Sequence, residues 1–388
     1  MKKVILLSIG MFALGFDAYI IAGIIPGISD TYHKSASQVG QAVSVFTLFY
    51  AVSAPLFSSL LAGRPIKKVL LCSMLVFGVA NGVTALASNF SIFLLSRAIA
   101  GVGAGLFSPL AIAGSTQLVP SEKKGRAIGL TIGGMSMGTV LGVPLGLYIS
   151  NLFDWKLAIW FVVILSFIAA LTIYKFLPEV PVSAPPTMKE RLLMLLDKRV
   201  TITVLITFFA SVASLGLYTY LAPLLQDLTS SSELTVYLWA WGVGGLFGSL
   251  SIGYLIDHFK KTKSLLTIIL ITLILSIICI PIMVNLPIVK YLPFFIWGAM
   301  GWAAQAPQQH ILLSYHPKQG STAVALNSSV NYLGSAVGAT QGGLVLAMGM
   351  GTISLIYFAI ISTGISLSLH FYSMRGMYRV RKSGRSLK

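Results

Sequence analysis

The chain is a series of long apolar stretches separated by short polar gaps. Twelve stretches of mainly apolar residues follow one another, at roughly 4–28, 38–62, 69–88, 92–118, 127–150, 157–177, 201–225, 235–256, 264–285, 291–313, 321–348 and 352–374. A helix of about 20 apolar residues crosses a ~30 Å hydrocarbon core. The pattern therefore predicts an all-α integral membrane protein with twelve transmembrane helices. The first stretch opens with Met1-Lys2-Lys3, as a signal peptide does. It is too long for the apolar region of a signal peptide, shows no small-residue cleavage site, and is followed by eleven more spans. It is expected to be retained as the first helix.

The longest gap, 178–200, divides the spans six and six. It begins with Pro178-Glu179-Val180-Pro181 and contains Pro185-Pro186, which interrupt helix. From Met188 to Arg199, Leu192, Leu195 and Leu196 share a face, which predicts a short amphipathic helix on the inner leaflet. The expected organisation is an N-terminal six-helix bundle (1–177), a cytoplasmic linker (178–200), and a C-terminal six-helix bundle with a basic tail (201–388). The halves repeat in register. Pro26 and Asp30 recur as Pro223 and Asp227, 197 residues on, and Gly138, Gly142 and Gly146 recur as Gly334, Gly338 and Gly342, each 196 on. Two pseudo-symmetric bundles facing across a central cavity form a transporter architecture that rocks about a midplane site.

Composition and charge narrow this further. Hydrophobic residues make up 56% of the chain and charged residues 10%, against about 25% charged in soluble domains. The net charge is +17. With the N-terminus inside, 23 of the 27 Lys and Arg lie on the cytoplasmic side and three (Lys34, Lys156, Lys290) outside, with Arg97 inside a span. That bias predicts both termini in the cytoplasm. The six basic residues between Arg375 and Lys388 then form a juxtamembrane tail resting on anionic lipid, with no nucleic-acid reading motif beside it. Cys72 and Cys279 lie within apolar spans and read as buried hydrophobes. The five histidines lack metal spacing and no GxxxxGK[ST] loop is present, so neither a metal site nor ATP hydrolysis is expected. No constellation of nucleophile, base and metal ligands lies at depth, so the chain does not read as an enzyme.

Of the ten acidic residues, only Asp17 falls near the middle of a span. An ionisable group at bilayer depth marks a proton relay, an ion site or a buried counter-charge. Arg97 is the basic residue within a span; it needs a partner at depth or snorkels towards the surface. An apolar setting and a guanidinium pull a carboxylate in opposite directions, an arrangement that suits loading and release of a proton. A structural ion pair is the plain alternative.

Gly134, Gly138, Gly142 and Gly146 recur every fourth residue, with Pro144 between the last two. They make a smooth stripe for close helix packing, with a kink. The segment Gly138-Thr139-Val140-Leu141-Gly142-Val143-Pro144-Leu145-Gly146 resembles the span-five antiporter motif of the major facilitator superfamily. Arg97-Ala98-Ile99-Ala100-Gly101-Val102-Gly103-Ala104-Gly105 is similar to the span-four motif of that family. Gly253-Tyr254-Leu255-Ile256-Asp257-His258-Phe259-Lys260-Lys261 is similar to its cytoplasmic loop motif. The first-half counterpart keeps Arg64, Lys67 and Lys68 but has Gly63 where the family usually has Asp. The order and spacing of these segments resemble the twelve-span drug:proton antiporter branch, near the arabinose-efflux-permease-like exporters.

The resemblance implies a secondary active transporter of a bacterial cytoplasmic membrane, exporting drugs or related metabolites by proton antiport through alternating access. A narrow sugar or nucleoside exporter and a lipid flippase are the alternatives. It implies proton coupling at Asp17 and Arg97, the antiporter motif at Gly138, Gly142, Pro144 and Gly146, and the loop motif at Gly253, Asp257, Lys260, Lys261 and Arg64. The cavity is expected between spans 1, 4, 7 and 10, helped by 2, 5, 8 and 11. Candidate lining residues are Tyr19, Phe46, Tyr50, Phe107, Met135, Tyr218, Trp239, Trp297, Gln305, Gln308, Asn327 and Asn331. Protonation of Asp17 is expected to compete with substrate. The energy source is the proton gradient, with no cofactor. Partners are a small-molecule substrate, protons and the lipid bilayer, and the two-repeat design needs only a monomer.

Overall fold

The computed structural model describes residues 1–388 apart from 62–63, 121–122, 180–185, 230–232, 260, 317–318 and 384–388. Every regular element among the described residues is helical. The first half comprises α1 (Lys2–Tyr32), α2 (Ala36–Leu61), α3 (Ile66–Leu86), α4 (Phe90–Gln117), α5 (Lys124–Met137), a π-turn (Gly138–Gly142), α6 (Val143–Leu152) and α7 (Trp155–Phe176). The linker holds α8 (Met188–Met194). The second half comprises α9 (Lys198–Thr219), α10 (Leu221–Leu228), α11 (Leu234–Phe259), α12 (Thr262–Met283), α13 (Leu292–Ala303), α14 (Gln305–Tyr315), α15 (Gly320–Ala347) and α16 (Ile353–Ser383).

Ten of these helical segments are long and apolar enough to cross a membrane, α5 to α6 counting as one. The two remaining predicted spans are α13–α14, which is broken, and α15, whose sequence carries Asn, Ser, Thr, Gln and Gly along its length. Prolines explain the breaks. A proline leaves the carbonyl four residues earlier without a helical donor. Pro223 does this to Thr219, where α9 gives way to α10, and Pro307 does it to Ala303, where α13 gives way to α14. Pro144 does it to Val140, inside the π-turn; such wide turns recur at functional sites. In the second half Thr340 stands 196 residues after Pro144, and α15 runs through without a break.

Within the first half, α1 packs on α5, the π-turn, α6 and α7, while α3 packs on α4 and α7. In the second, α9 packs on α15 and α16, and α11 on α13. The halves meet along α2–α15, α1–α10 and α6–α11. The meeting is tight at the end away from the chain termini. There Ser37 Oγ donates to the Gly343 carbonyl at 2.5 Å, and Gly242 of α11 lies against Val140.

The repeat seen in the sequence is a repeat of contacts. A β-carbon at Gly138 would strike the Phe12 carbonyl, and one at Gly334 the Phe208 carbonyl. Likewise Gly142 abuts Phe16, and Gly338 abuts Val212. Both partners shift by 196 residues between the halves. The glycine stripe thus seats α5–α6 on α1 in one bundle and α15 on α9 in the other.

Two expectations change. The linker helix ends at Met194, not Arg199, because Asp197 caps the next helix by accepting from the Arg199 N–H. Thr187 and Glu190 cap its start reciprocally. Leu192 and Leu196 are exposed, and Arg191 and Met194 are the buried residues. Arg191 Nη1 donates to the Ala325 carbonyl at 2.9 Å and to Ser329 Oγ at 2.5 Å, and Ser329 Oγ donates to the Ala51 carbonyl of α2. The linker is therefore pinned where the halves meet. The basic tail also differs, since helix continues from its predicted end at 374 to Ser383.

Candidate functional site

Asp17 is fully buried on α1, and Arg97 of α4 is 1% exposed. The guanidinium meets the carboxylate bidentately, Nη1 to Oδ1 at 2.8 Å and Nη2 to Oδ2 at 3.0 Å. Nη1 also donates to Asn81 Oδ1 of α3 at 2.9 Å, and the group lies 4.6 Å over the Phe46 ring. Arg97 therefore does not snorkel. Small residues allow this depth: a β-carbon at Gly101 would strike the Phe46 carbonyl, so α4 lies directly against α2. Asn81 was missed by sequence reasoning, although a lone amide in the middle of an apolar stretch is a signal of the same kind as Asp17. The equivalent of Asp17 in the second half, 196 residues on, is the buried Ala213, so the charge belongs to one bundle only.

Tyr19 follows Asp17 by two residues, about 200° round the helix. It faces the second bundle. Its ring lies 5.5 Å from that of Tyr218, 5.6 Å from Trp241 and 6.1 Å from Trp302. Beside these rings is a narrow pocket lined by Tyr19, by Thr207, Ser211 and Ser214 of α9, by Leu273 of α12, by Trp302, Gln305 and Gln308 around the α13–α14 break, and by Asn331 of α15. From the direction of α9, the lining residues 207–214 lie on the terminus side of Tyr218. Spans 1, 7, 10 and 11 thus line the pocket, span 9 joins them, and the expected spans 2, 4, 5 and 8 do not.

Hydrogen bonds fix several of these side chains. Thr207 Oγ1 donates to Asn327 Oδ1 at 2.6 Å, Ser211 Oγ to the Asn331 carbonyl at 2.5 Å, and Trp297 Nε1 to Ser214 Oγ at 2.8 Å. Trp302 Nε1 and the nearly fully buried Gln308 Nε2 have no acceptor among the described residues. Trp302 is one of the aromatic residues the sequence offers in the cavity spans, whereas Trp241 and the α9 hydroxyls are not singled out, because no spacing rule distinguishes them from packing residues.

The other candidates fall elsewhere. Asp17 faces away from the pocket, so direct competition with a ligand for one position is not what this geometry offers. Phe107 packs under Gly10 inside the first bundle, and Phe46 covers Arg97. Tyr50 stacks on Tyr332 with ring centres 3.9 Å apart, across the interface. Met135 packs its backbone against Gly15. Trp297 and Asn327 are buried behind the lining as hydrogen-bond partners, and Tyr218 forms the ring cluster above it. Trp239 is 51% exposed, because Trp241, two residues on, takes the inward face of α11. Arg64 and Lys261 are exposed and Gly253 faces open space. The Asp257 side chain and Lys260 lie outside the described residues, so the loop motif is not assembled here.

This is the architecture of a membrane transporter: two repeated helical bundles, a pocket at their junction, and, among the described residues, one buried ion pair. The family model described as Major Facilitator Superfamily matches residues 7–339, and the chain belongs to that family of membrane transporters. It is 28% identical over 95% of both chains to the inner membrane transport protein YdhP of Escherichia coli. It is 25% identical to a chloramphenicol resistance protein of Streptomyces lividans, over 89% of this chain and 88% of that one. A solved bacterial homologue of the human lysosomal transporter Spinster, in an inward-facing and unoccupied conformation, superposes with a TM-score of 0.77 at 16% identity, covering 96% of each chain.

Proposed function

We propose that this protein exports small molecules across a bacterial cytoplasmic membrane by proton antiport, as a monomer with both termini in the cytoplasm and no cofactor. The observation that carries the reading is the placement of Asp17 and Tyr19 on opposite faces of one helix. Asp17 is locked to Arg97 within the first bundle, and Tyr19 reaches the pocket of the second. Taking up a proton requires Asp17 to leave Arg97 and meet water. That step loosens α1, and α1 carries a wall of the pocket. Proton and cargo then compete through the position of α1, not by sharing a site. The glycine seam and the π-turn beside Phe16 supply the surface on which α1 shifts. Similarity to a chloramphenicol resistance protein supports export of a drug-sized molecule.

The test uses purified protein in liposomes with a pH dye trapped inside. An imposed proton gradient should give compound-dependent proton flux with members of a panel of phenicols, fluoroquinolones, cationic dyes, sugars and nucleosides. Silence across the panel from folded protein would overturn the proposal. The amides of Gln305, Gln308 and Asn331 also suit a hydroxylated cargo, so flux confined to sugars or nucleosides would favour a narrow exporter.

A further inference from the structure

The two sides of the buried ion pair are held differently. Arg97 belongs to a close-packed seam of α3 and α4. A β-carbon at Gly103 of α4 would strike the Ser73 carbonyl and the Phe77 amide nitrogen of α3, and Thr84 Oγ1 and Ser96 Oγ bridge the two helices at 2.8 Å. Asn81 lies in this seam, fully buried. Its Nδ2 donates to the Phe77 carbonyl at 3.1 Å, which turns Oδ1 towards Arg97 Nη1, 2.9 Å away. Asp17 belongs to α1, the helix that shifts in the proton-coupled reading. Among the described residues the guanidinium makes three oxygen contacts, two to Asp17 and one to Asn81, and its Nε has no acceptor. When a proton adds to an Asp17 oxygen, the pair passes from neutral to one positive charge, and the carboxyl no longer accepts from both guanidinium nitrogens. Asn81 Oδ1 is then the oxygen still fixed on the cation's own side. A buried cation stripped of acceptors is costly, so the protonated state depends on that amide.

We propose that Asn81 is the positioning residue of the proton step: its amide oxygen keeps Arg97 in place on α3 and α4 while Asp17 carries the proton, and thereby sets the pH at which Asp17 loads. The proposal rests on the proton-coupled reading of Asp17. No other charge replaces Asn81 in this role. Besides Arg97, α2, α4 and α6 carry no charged residue. The charges of α3, α5 and α7 (Lys67, Lys68, Lys124, Arg126, Lys156 and Lys175) stand at helix ends, and those of α9, α10 and α11 lie in the second bundle. Tyr19 and Tyr50 turn their rings to the second bundle, against Tyr218 and Tyr332.

The experiment is infrared titration of the purified full chain in detergent. It follows the carbonyl band of a protonated carboxyl that is missing from the double variant Asp17→Asn, Arg97→Gln, and it needs no substrate. Asn81→Leu removes the oxygen at similar size. It should move half-protonation about one pH unit to the acid side of wild type, because the protonated state loses a charge-assisted bond. Asn81→Asp has the same shape and gives Arg97 a second counter-charge, so the first proton should bind at higher pH than in wild type. A residue that only packs would lower the melting temperature in both variants and move neither midpoint. Midpoints unchanged, or displaced in the same direction, in folded variants would overturn the proposal and leave proton uptake at Asp17 intact. Should Asn81→Leu fail to fold, the direction of the Asn81→Asp shift decides alone. Wild type without the band at every pH where it is folded would overturn the proton-coupled reading and this proposal together.

Discussion

Replacing Asp17 by Asn puts a number on the buried pair. The carboxylate accepts two guanidinium N–H groups, at 2.8 and 3.0 Å, and Arg97 is otherwise met by Asn81 at 2.9 Å and by the Phe46 ring. An asparagine at 17 keeps one acceptor and turns an NH₂ towards the second guanidinium N–H. One charge-assisted hydrogen bond is lost, and a fully buried cation is left without a counter-charge. Removing one partner of a buried pair costs about 3–5 kcal/mol. Removing both charges costs far less, so Asp17→Asn with Arg97→Gln should recover most of the loss. Thermal unfolding in detergent gives the stabilities, and the liposome assay gives the flux. The single variant should unfold several degrees early. The double variant should melt near wild type and exchange substrate passively, with no proton-driven transport. A single variant as stable as wild type would refute the pairing argument. A double variant that still couples protons to export would remove Asp17 from the proton path and leave the pair a purely structural role.

The other predictions use contacts already described. Gly138→Ala and Gly334→Ala, whose new methyl groups would press on the Phe12 and Phe208 carbonyls, should each cost about 1–3 kcal/mol as overpacked sites; Gly133→Ala, which meets nothing within 4 Å, should stabilise by about 0.5–1 kcal/mol through helix propensity. Arg191 is buried, and burial lowers its guanidinium to about 10, so it stays charged at neutral pH. Arg191→Met should release the linker from Ala325 and Ser329, seen as faster proteolysis at 186–197 with the bundles intact. The Arg199 hydrogen bond, helped by His316, holds the Asp197 carboxyl well below its usual range. A depressed carboxylate stabilises above its unfolded value and loses that contribution as pH falls, so the gap in melting temperature between wild type and Asp197→Asn should close as pH falls below about 4.

Much of this protein is legible without coordinates. In a bilayer each span must satisfy its own backbone hydrogen bonds, so span positions and the prolines that interrupt them are written locally. The repeat is legible for a similar reason, since helices seated on one another through glycines must keep those glycines in register. The lone carboxylate at depth also stands out by itself. What the sequence leaves open is how each helix is turned. A span that is apolar on every side carries little signal for which face meets protein and which meets lipid. Trp239 and Trp241 look alike as letters, yet one is half exposed and the other wholly buried. Only the packed bundle decided that Asp17 faces Arg97, 80 residues away, with Asn81 on the same guanidinium, while Tyr19 faces a pocket whose remaining lining begins 188 residues on. Only packing decided that Trp302 and Gln308 are left with unpaired donors. Such facts depend on rotation and contact between distant helices, which local hydropathy does not encode.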